Sequence, residues 1–375
     1  MKIDADSEAS RYARQIILDE VGIEGQQRIK NSKVLVVGAG GLGSPVLLYL
    51  SAAGVGTIGI VDDDIVSASN LHRQILYTTA DIGKLKVQAA KRHLKKLNPH
   101  IQINTYEASL IMENAQDIVS GYEIVVDATD NFPSKYLIDY LCRKHAKPMV
   151  FASISQFEGQ ISVFNYTHPH AKTCGPGFRD VFPSPPPPHL SQTCSEAGVL
   201  GVVPGLVGCL QANEVLKLIL DIEQPLSGSL LSIDCLANNF RLLKLTKSGC
   251  IARHTPTQYE PSIPSAEKVE RVSPSGLRDW MSDPQSFQFI DVRETSESVD
   301  SSLGGIVIPL RQIVNRISEL DINRRIVFYC KSGKRSDAAV LAVKSALPDA
   351  RLFTLEGCID AYLKLYPEKH ETAQS

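Results

Sequence analysis

Two short stretches of this 375-residue chain carry side chains that could do chemistry. The first is Gly38-Ala39-Gly40-Gly41-Leu42-Gly43, directly after the apolar run KVLVV (33–37). Glycine lets a backbone turn tightly and bring its N–H groups close to phosphate oxygens. Asp62 stands 19 residues after Gly43, at the end of a second apolar run, TIGIV (57–61). A carboxylate there can accept ribose hydroxyls. Arg73 in SNLHRQ, Lys86 in GKLKV and Asp130 in DATDN add two cations and a carboxylate. Such a set suits a triphosphate and its magnesium, with more charge than a dinucleotide needs. The second stretch is Cys330-Lys331-Ser332-Gly333-Lys334-Arg335. A thiol on such a turn is ringed by backbone N–H groups and faces the positive end of the next helix. With Lys331, Lys334 and Arg335 alongside, the thiolate or a persulfide anion is stabilised.

These residues need elements to hold them. KVLVV and TIGIV read as strands buried on both faces, with a helix expected over 43–53. IQINTYE (101–107) and EIVVDAT (123–129) repeat the strand pattern with helices between. The alternation predicts an α/β, doubly wound parallel sheet with ligands at the carboxyl ends of its strands. Residues 166–196 show little periodicity and include FPSPPPPHLSQ, too long a loop to be an idle connector. A helix rich in small residues is expected over 199–220, then strands at LLSID and FRLLKL. IARHTPTQYEPSIPSAE (251–267) reads as a linker. Beyond it a second α/β pattern begins: SPSGLRDWM as a capped helix, FQFIDV and RIVFYC as strands, and a helix from Ser336. The expected domains are therefore 1–250 and 268–375.

Composition narrows the function classes. Thirty-nine basic against 41 acidic residues give a formal net charge of −2, so no bulk field favours nucleic acid or an anionic membrane. With 43% hydrophobic and 21% charged residues the chain reads as globular, not disordered. The N-terminus, MKIDADSEAS, lacks an apolar h-region. The uncharged stretch Ala197–Asn213 is broken by glycines and Pro204, which favours a buried helix over a membrane span. The eight cysteines form no C-x-x-C pair, so neither a disulfide framework nor an evident zinc site shows, and a reducing cytoplasm fits.

RYARQIIL (11–18), VVGAGGLGSP (36–45), VDDDIV (61–66), SNLHRQ (69–74), GKLKV (83–87), DATDN (127–131), EGQISVF (158–164) and CSEAGVLGVVPGLVG (194–208) together resemble the MoeB/ThiF branch of the ubiquitin-activating-enzyme superfamily. The resemblance covers about residues 10–248. It implies ATP-dependent adenylation of the C-terminal glycine of a ubiquitin-like sulfur carrier protein ending in Gly-Gly. Carried over by position, Gly38, Gly40, Gly41 and Gly43 line the nucleotide and Asp62 holds the ribose. Arg73 and Lys86 take the phosphates, Asp130 binds magnesium, and Asn70 and Gln74 orient the phosphates or the glycyl tail. Arg14 resembles the family arginine that enters the partner subunit's site, which implies a homodimer through the N-terminal domain. Cys194 occupies the place of a thiol that, in members fused to a sulfurtransferase, attacks the acyl-adenylate or later joins the carrier through an acyl disulfide.

The chain departs from that family at its zinc ligands. Two C-x-x-C pairs are usual, but the first falls on Gly177 and Asp180, and Arg253 replaces the partner of Cys250. One ligand of four cannot hold structural zinc. An improvised set of Cys174, His189, Cys250 and His254 has irregular spacing, so no zinc is expected.

The segment 272–363 resembles a rhodanese domain through FIDVRE, GGIVIPL, VFYCKSGKRS and LEGCIDAY. The Cys-x4-Arg spacing matches the loop of a sulfurtransferase, since the related phosphatases use one residue more. By the same resemblance Asp291 and Arg293 are structural or near-site residues, while Cys358 and Tyr362 stand where glycine and tryptophan are usual. The two halves together predict a bifunctional enzyme: ATP activates a carrier carboxylate, and a Cys330 persulfide, charged by a persulfide or thiosulfate donor, converts it to a thiocarboxylate. Three alternatives are an adenylating enzyme with a regulatory rhodanese domain, a non-catalytic nucleotide-sensing scaffold and a Rossmann dehydrogenase.

Overall fold

The computed structural model describes residues 8–166, 175–184, 198–222, 224–245, 269–283, 285–300, 302–331 and 333–366. These form two compact units, one reaching residue 245 and one starting at 269. The expected linker, 251–267, lies outside the described residues.

In the first unit an eight-stranded sheet runs β3 (Gln102–Tyr106), β2 (Thr57–Val61), β1 (Lys33–Val37), β4 (Ile124–Asp127), β5 (Met149–Ser155), β6 (Glu158–Phe164), β7 (Ser229–Asp234), β8 (Asn239–Lys244). The first five are mutually parallel, as the buried apolar runs predict. The last three are antiparallel, so the Rossmann-like sheet is mixed with a parallel majority. Only Gln156 and Phe157 separate β5 from β6. Two residues can reverse a chain, whereas a parallel partner needs a crossover of about a dozen.

The helix Gly43–Ala53 matches the expected 43–53, and the small-residue helix spans Val202–Leu220. The latter is long and apolar enough to cross a membrane by length and composition. In this fold Val203, Val207, Gln211 and Val215 are buried, and Gln211 Nε2 donates to the carbonyls of Asp127 (2.9 Å) and Val150 (3.2 Å). Its glycines allow close approach: a Cβ at Gly208 would lie 2.5 Å from Pro45 Cγ and 2.6 Å from the Leu42 carbonyl oxygen. The sheet's other face buries Phe151, Phe164 and Phe178.

The second unit is a five-stranded parallel sheet ordered β11 (Ile306–Val307), β10 (Phe287–Asp291), β12 (Arg325–Tyr329), β13 (Arg351–Leu355), β9 (Glu270–Val272). The capped helix is Pro274–Trp280, with the Ser273 hydroxyl accepting from Gly276 N–H. The helix after β12 begins at Lys334, two residues earlier than the sequence suggests, because Gly333 takes φ +96° and starts it.

Candidate functional site

At the carboxyl end of β1 two glycines stand where no side chain fits. A Cβ at Gly43 would sit 2.0 Å from the Gly38 carbonyl oxygen, and one at Gly38 (φ +96°) 2.5 Å from that of Ala128. The glycine loop thus lies against the end of β4, where the exposed Asp130 follows Ala128 by two residues. Asp62 is brought to the same loop: one carboxylate oxygen accepts Ala39 N–H (2.7 Å) and the other Asp64 N–H (2.9 Å). A carboxylate offers about four acceptor sites, so two remain for ribose hydroxyls. Burial raises the Asp62 carboxyl above its ordinary value, opposed by Lys86 and these two N–H groups.

The buried Lys86 Nζ lies 4.0 Å from Asp62 and 2.9 Å from Asp64. Arg73 flanks the loop, with its Cγ 3.6 Å from where a Gly41 Cβ would stand, and its guanidinium reaches the Ser69 carbonyl (3.1 Å) and His72 (2.8 Å). Asn70 builds the turn beneath: its carbonyl accepts from Arg73 N–H (3.1 Å) and Gln74 N–H (2.9 Å), and its side chain from Ser67 N–H (3.2 Å). Gln74 is buried beside Gly40, and its Oε1 has no hydrogen-bond partner among the described residues. A buried orphan acceptor costs about 1–3 kcal/mol unless something donates to it, so it marks a place for a ligand donor. Together these residues fit a nucleoside triphosphate.

Arg14 is not part of this cluster. It is exposed on the helix Ala13–Ile16, whose neighbours Tyr12 and Gln15 pack on Gly54 and bond the Ala53 carbonyl (3.1 Å). That is the far end of the helix Gly43–Ala53, about 16 Å from the loop at 1.5 Å per residue. Cys194 lies outside the described residues.

Two supporting residues escape a reading of motifs. The Tyr77 hydroxyl donates to the Ala39 carbonyl (2.8 Å), bracing the glycine loop. Lys135 is buried and bonds Asp127 (2.8 Å) and the carbonyls of Thr129 and Ala152 (both 2.9 Å), which fixes the end of β4. Its signal was its place in the first turn after the N-cap Asn131, eight residues beyond Asp127.

In the second unit Cys330 is buried at the end of β12. Gly333 N–H donates to its Sγ (3.1 Å), Ser336 Oγ lies 3.7 Å away and Cys358 Sγ 4.0 Å. The hydrogen bond from Cys358 holds the Cys330 thiol well below its ordinary value, joined by Ser336 and Gly333 and opposed by burial. Of the cations expected around the thiol, one has a carboxylate partner. Arg335 turns to Glu297 in a two-bond pair (2.6 and 2.9 Å), which holds the Glu297 carboxyl down to about 2. Lys331 is exposed, and Ser332 and the Lys334 side chain lie outside what is described. Arg335 thus has a strong partner in the Glu297 carboxylate, while Cys358, Ser336 and Gly333 are the described donors that hold the Cys330 thiol down. Asp291 and Arg293 form a buried pair at 2.6 Å two residues apart, a structural role.

The place of the family's first cysteine pair is a helical turn, Phe178–Val181, in which Asp180 accepts Gly177 N–H (2.7 Å). Phe178 packs against Tyr136, Phe151, Phe164 and Phe182, with ring centroids 4.9–5.8 Å apart. The four residues of the improvised zinc set lie outside the described residues. Among the described residues no group of three His, Cys, Asp or Glu side chains is placed to hold a metal. Phe178→Ala is expected to lower the stability of the first unit by about 3–5 kcal/mol, read from urea unfolding; a loss under about 1 kcal/mol would show that this cluster does not anchor the turn.

Two families match the sequence: one described as the ThiF family over residues 12–252, and one described as a rhodanese-like domain over residues 273–365. A Mycobacterium tuberculosis protein named probable adenylyltransferase/sulfurtransferase MoeZ is 39% identical over 369 residues, covering 95% of this chain and 93% of its own. The sulfur carrier protein adenylyltransferase of Thermus thermophilus is 49% identical over 255 residues, 68% of this chain and 94% of its own. The adenylyltransferase and sulfurtransferase MOCS3 of Anopheles gambiae is 39% identical over 364 residues, 89% and 81% of the two chains. Among solved structures, E. coli MccB bound to MccA-N7isoASN superposes with a TM-score of 0.56 at 20% identity, covering 66% of this chain and 74% of that one. That likeness concerns the fold alone.

Proposed function

The chain belongs to the ThiF family and ends in a rhodanese-like domain, and from that premise we propose that it adenylates a sulfur carrier protein and then transfers sulfur to it. The observation that carries this reading is the convergence of the glycine loop, Asp62, Arg73, Gln74 and Lys86 at the end of β1, in one chain with the depressed thiol of Cys330. ATP enters as substrate, with Asp62 on its ribose, the glycine loop's N–H groups on its phosphates, and Gln74 Oε1 accepting from the ligand. The carrier's C-terminal glycine carboxylate attacks the α-phosphate and pyrophosphate leaves. Negative charge builds there, and the fixed cations of Arg73 and Lys86 lower the barrier. Magnesium, when bound, neutralises phosphate charge, and Asp130 is the carboxylate proposed to hold it. Asn70 orients Arg73 and Gln74 through its carbonyl.

Cys330 then acts with sulfur on it: its thiolate takes a sulfane sulfur from thiosulfate or a persulfide donor, and the terminal sulfur attacks the acyl-adenylate as AMP leaves. The place of Arg14, a helix length from its own loop, is compatible with the reading in which it serves a second copy in a homodimer through the first unit. Cys194 is a second proposed acyl-carrying thiol. A carrier of the ubiquitin-like Gly-Gly type fits this chemistry, and a reducing cytoplasm keeps Cys330 free.

Incubation with ATP, magnesium, thiosulfate, dithiothreitol as reductant and a Gly-Gly carrier should convert the carrier to a species heavier by about 16 Da, one oxygen exchanged for sulfur, as read by intact-mass spectrometry. A carrier that is adenylated yet gains no sulfur would leave only the first half of the proposal standing.

A further inference from the structure

Cys358 sits where the backbone asks for glycine. Its φ is +55°, and Gly357 before it is at +65°. A side chain in this left-handed region is strained, and cysteine is not among the residues that tolerate it best. Strain kept at a site that glycine would relieve points to work for the side chain. The side chain meets one reactive group: its Sγ lies 4.0 Å from Cys330 Sγ, and both cysteines are buried. The two backbones are tied by a hydrogen bond from Ile359 N–H to the Cys330 carbonyl (3.2 Å), so the thiols face each other from fixed platforms. A disulfide needs the sulfurs at about 2.05 Å, so the pair must close from 4.0 Å.

We propose that Cys358 is the resolving thiol of the sulfur-transfer step, attacking Cys330 Sγ to release the thiocarboxylate and leaving a Cys330–Cys358 disulfide. The proposal rests on the reading of Cys330 as persulfide carrier. After the Cys330 persulfide has attacked the acyl-adenylate, the carrier is joined as Cys330–Sγ–S–C(=O). Cys358 sulfur forms a bond to Cys330 Sγ, the Sγ–S bond breaks, and its electron pair leaves on the outer sulfur as thiocarboxylate. The two cysteines are oxidised by two electrons and the sulfane sulfur is reduced by two; the Cys358 proton passes to solvent. An external dithiol reductant then returns both thiols.

In the resting state Cys358 donates a hydrogen bond to the Cys330 thiolate, and that bond, burial and the neighbouring charge keep the Cys358 thiol protonated. Once Cys330 Sγ carries the outer sulfur, that bond and the charge on Sγ are gone, and burial remains to oppose ionisation of Cys358.

The test is a single turnover of the full chain, wild type against Cys358→Gly and Cys358→Ser. Each protein is charged with thiosulfate, desalted, and mixed with ATP, magnesium and a Gly-Gly carrier without reductant. Wild type and Cys358→Ser, which keeps a donor to Cys330, should first gain about 32 Da, one sulfur atom, and Cys358→Gly should gain it more slowly. Wild type should then release thiocarboxylate and finish about 2 Da lighter than its reduced form, with Cys330 and Cys358 in one cross-linked peptide pair. Both variants should release thiocarboxylate at least about 100-fold more slowly and hold the carrier in an adduct that dithiothreitol cleaves. Release at the wild-type rate from the variants, or a wild-type disulfide joining Cys330 to Cys194, would overturn the role of Cys358. Failure of all three proteins to gain the sulfur would overturn the persulfide reading itself.

Discussion

Arg73→Ala is expected to lower carrier-dependent pyrophosphate–ATP exchange by about 10²–10³-fold, the usual loss on removing one fixed donor from a developing negative charge. The fold should survive. Arg73 is half-buried and, among the described residues, its guanidinium bonds only the Ser69 carbonyl and the His72 ring, so its removal strands no buried charge there. Lys86→Ala is a poorer test, because Lys86 is buried against Asp62 and Asp64 and its loss leaves carboxylates uncompensated. Arg73→Lys should recover part of the rate, keeping the charge but losing the planar fork that grips a phosphate. An unchanged melting temperature with near-normal exchange in Arg73→Ala would remove this residue from the adenylation step.

Cys330→Ser is expected to abolish thiocarboxylate formation from thiosulfate, by at least about 10³-fold, while leaving pyrophosphate exchange intact. A hydroxyl cannot hold a sulfane sulfur, yet it fits the same space and can accept Gly333 N–H, so the second unit should stay folded. The adenylation residues lie in a separate compact unit, which is why the two half-reactions should part cleanly. Thiocarboxylate made at the wild-type rate by Cys330→Ser would favour the alternative in which the rhodanese domain only regulates.

Much of this site was legible in one dimension. Glycines in a row after an apolar run can be read because the constraint is local: a Cβ at Gly43 collides with Gly38, five residues away. Asp62 is legible for a similar reason, since the next strand of a parallel sheet ends at the same edge. Other features depend on distance in space. Gln74 entered the site through a motif alone; its burial beside Gly40, with an oxygen left unpaired among the described residues, is a property of the fold. Arg335 reads as a cation beside the reactive thiol, but Glu297, 38 residues away, claims it. The antiparallel half of the large sheet depended on a two-residue turn at Gln156-Phe157 that no hydrophobic pattern announces.

The sequence by itself determined the two α/β units, the phosphate-binding turn and the thiol at a helix start, because period, glycine placement and motif spacing are properties of neighbouring residues. Tertiary structure alone decided which charges meet. It set Arg14 a helix length from its own loop and gave Arg335 to Glu297. It also placed Cys358, which in sequence only replaces a usual glycine, 4.0 Å from Cys330. The physical reason is that hydrogen bonds and charge interactions act over a few ångströms of space, and only folding brings residues 28 positions apart within that range.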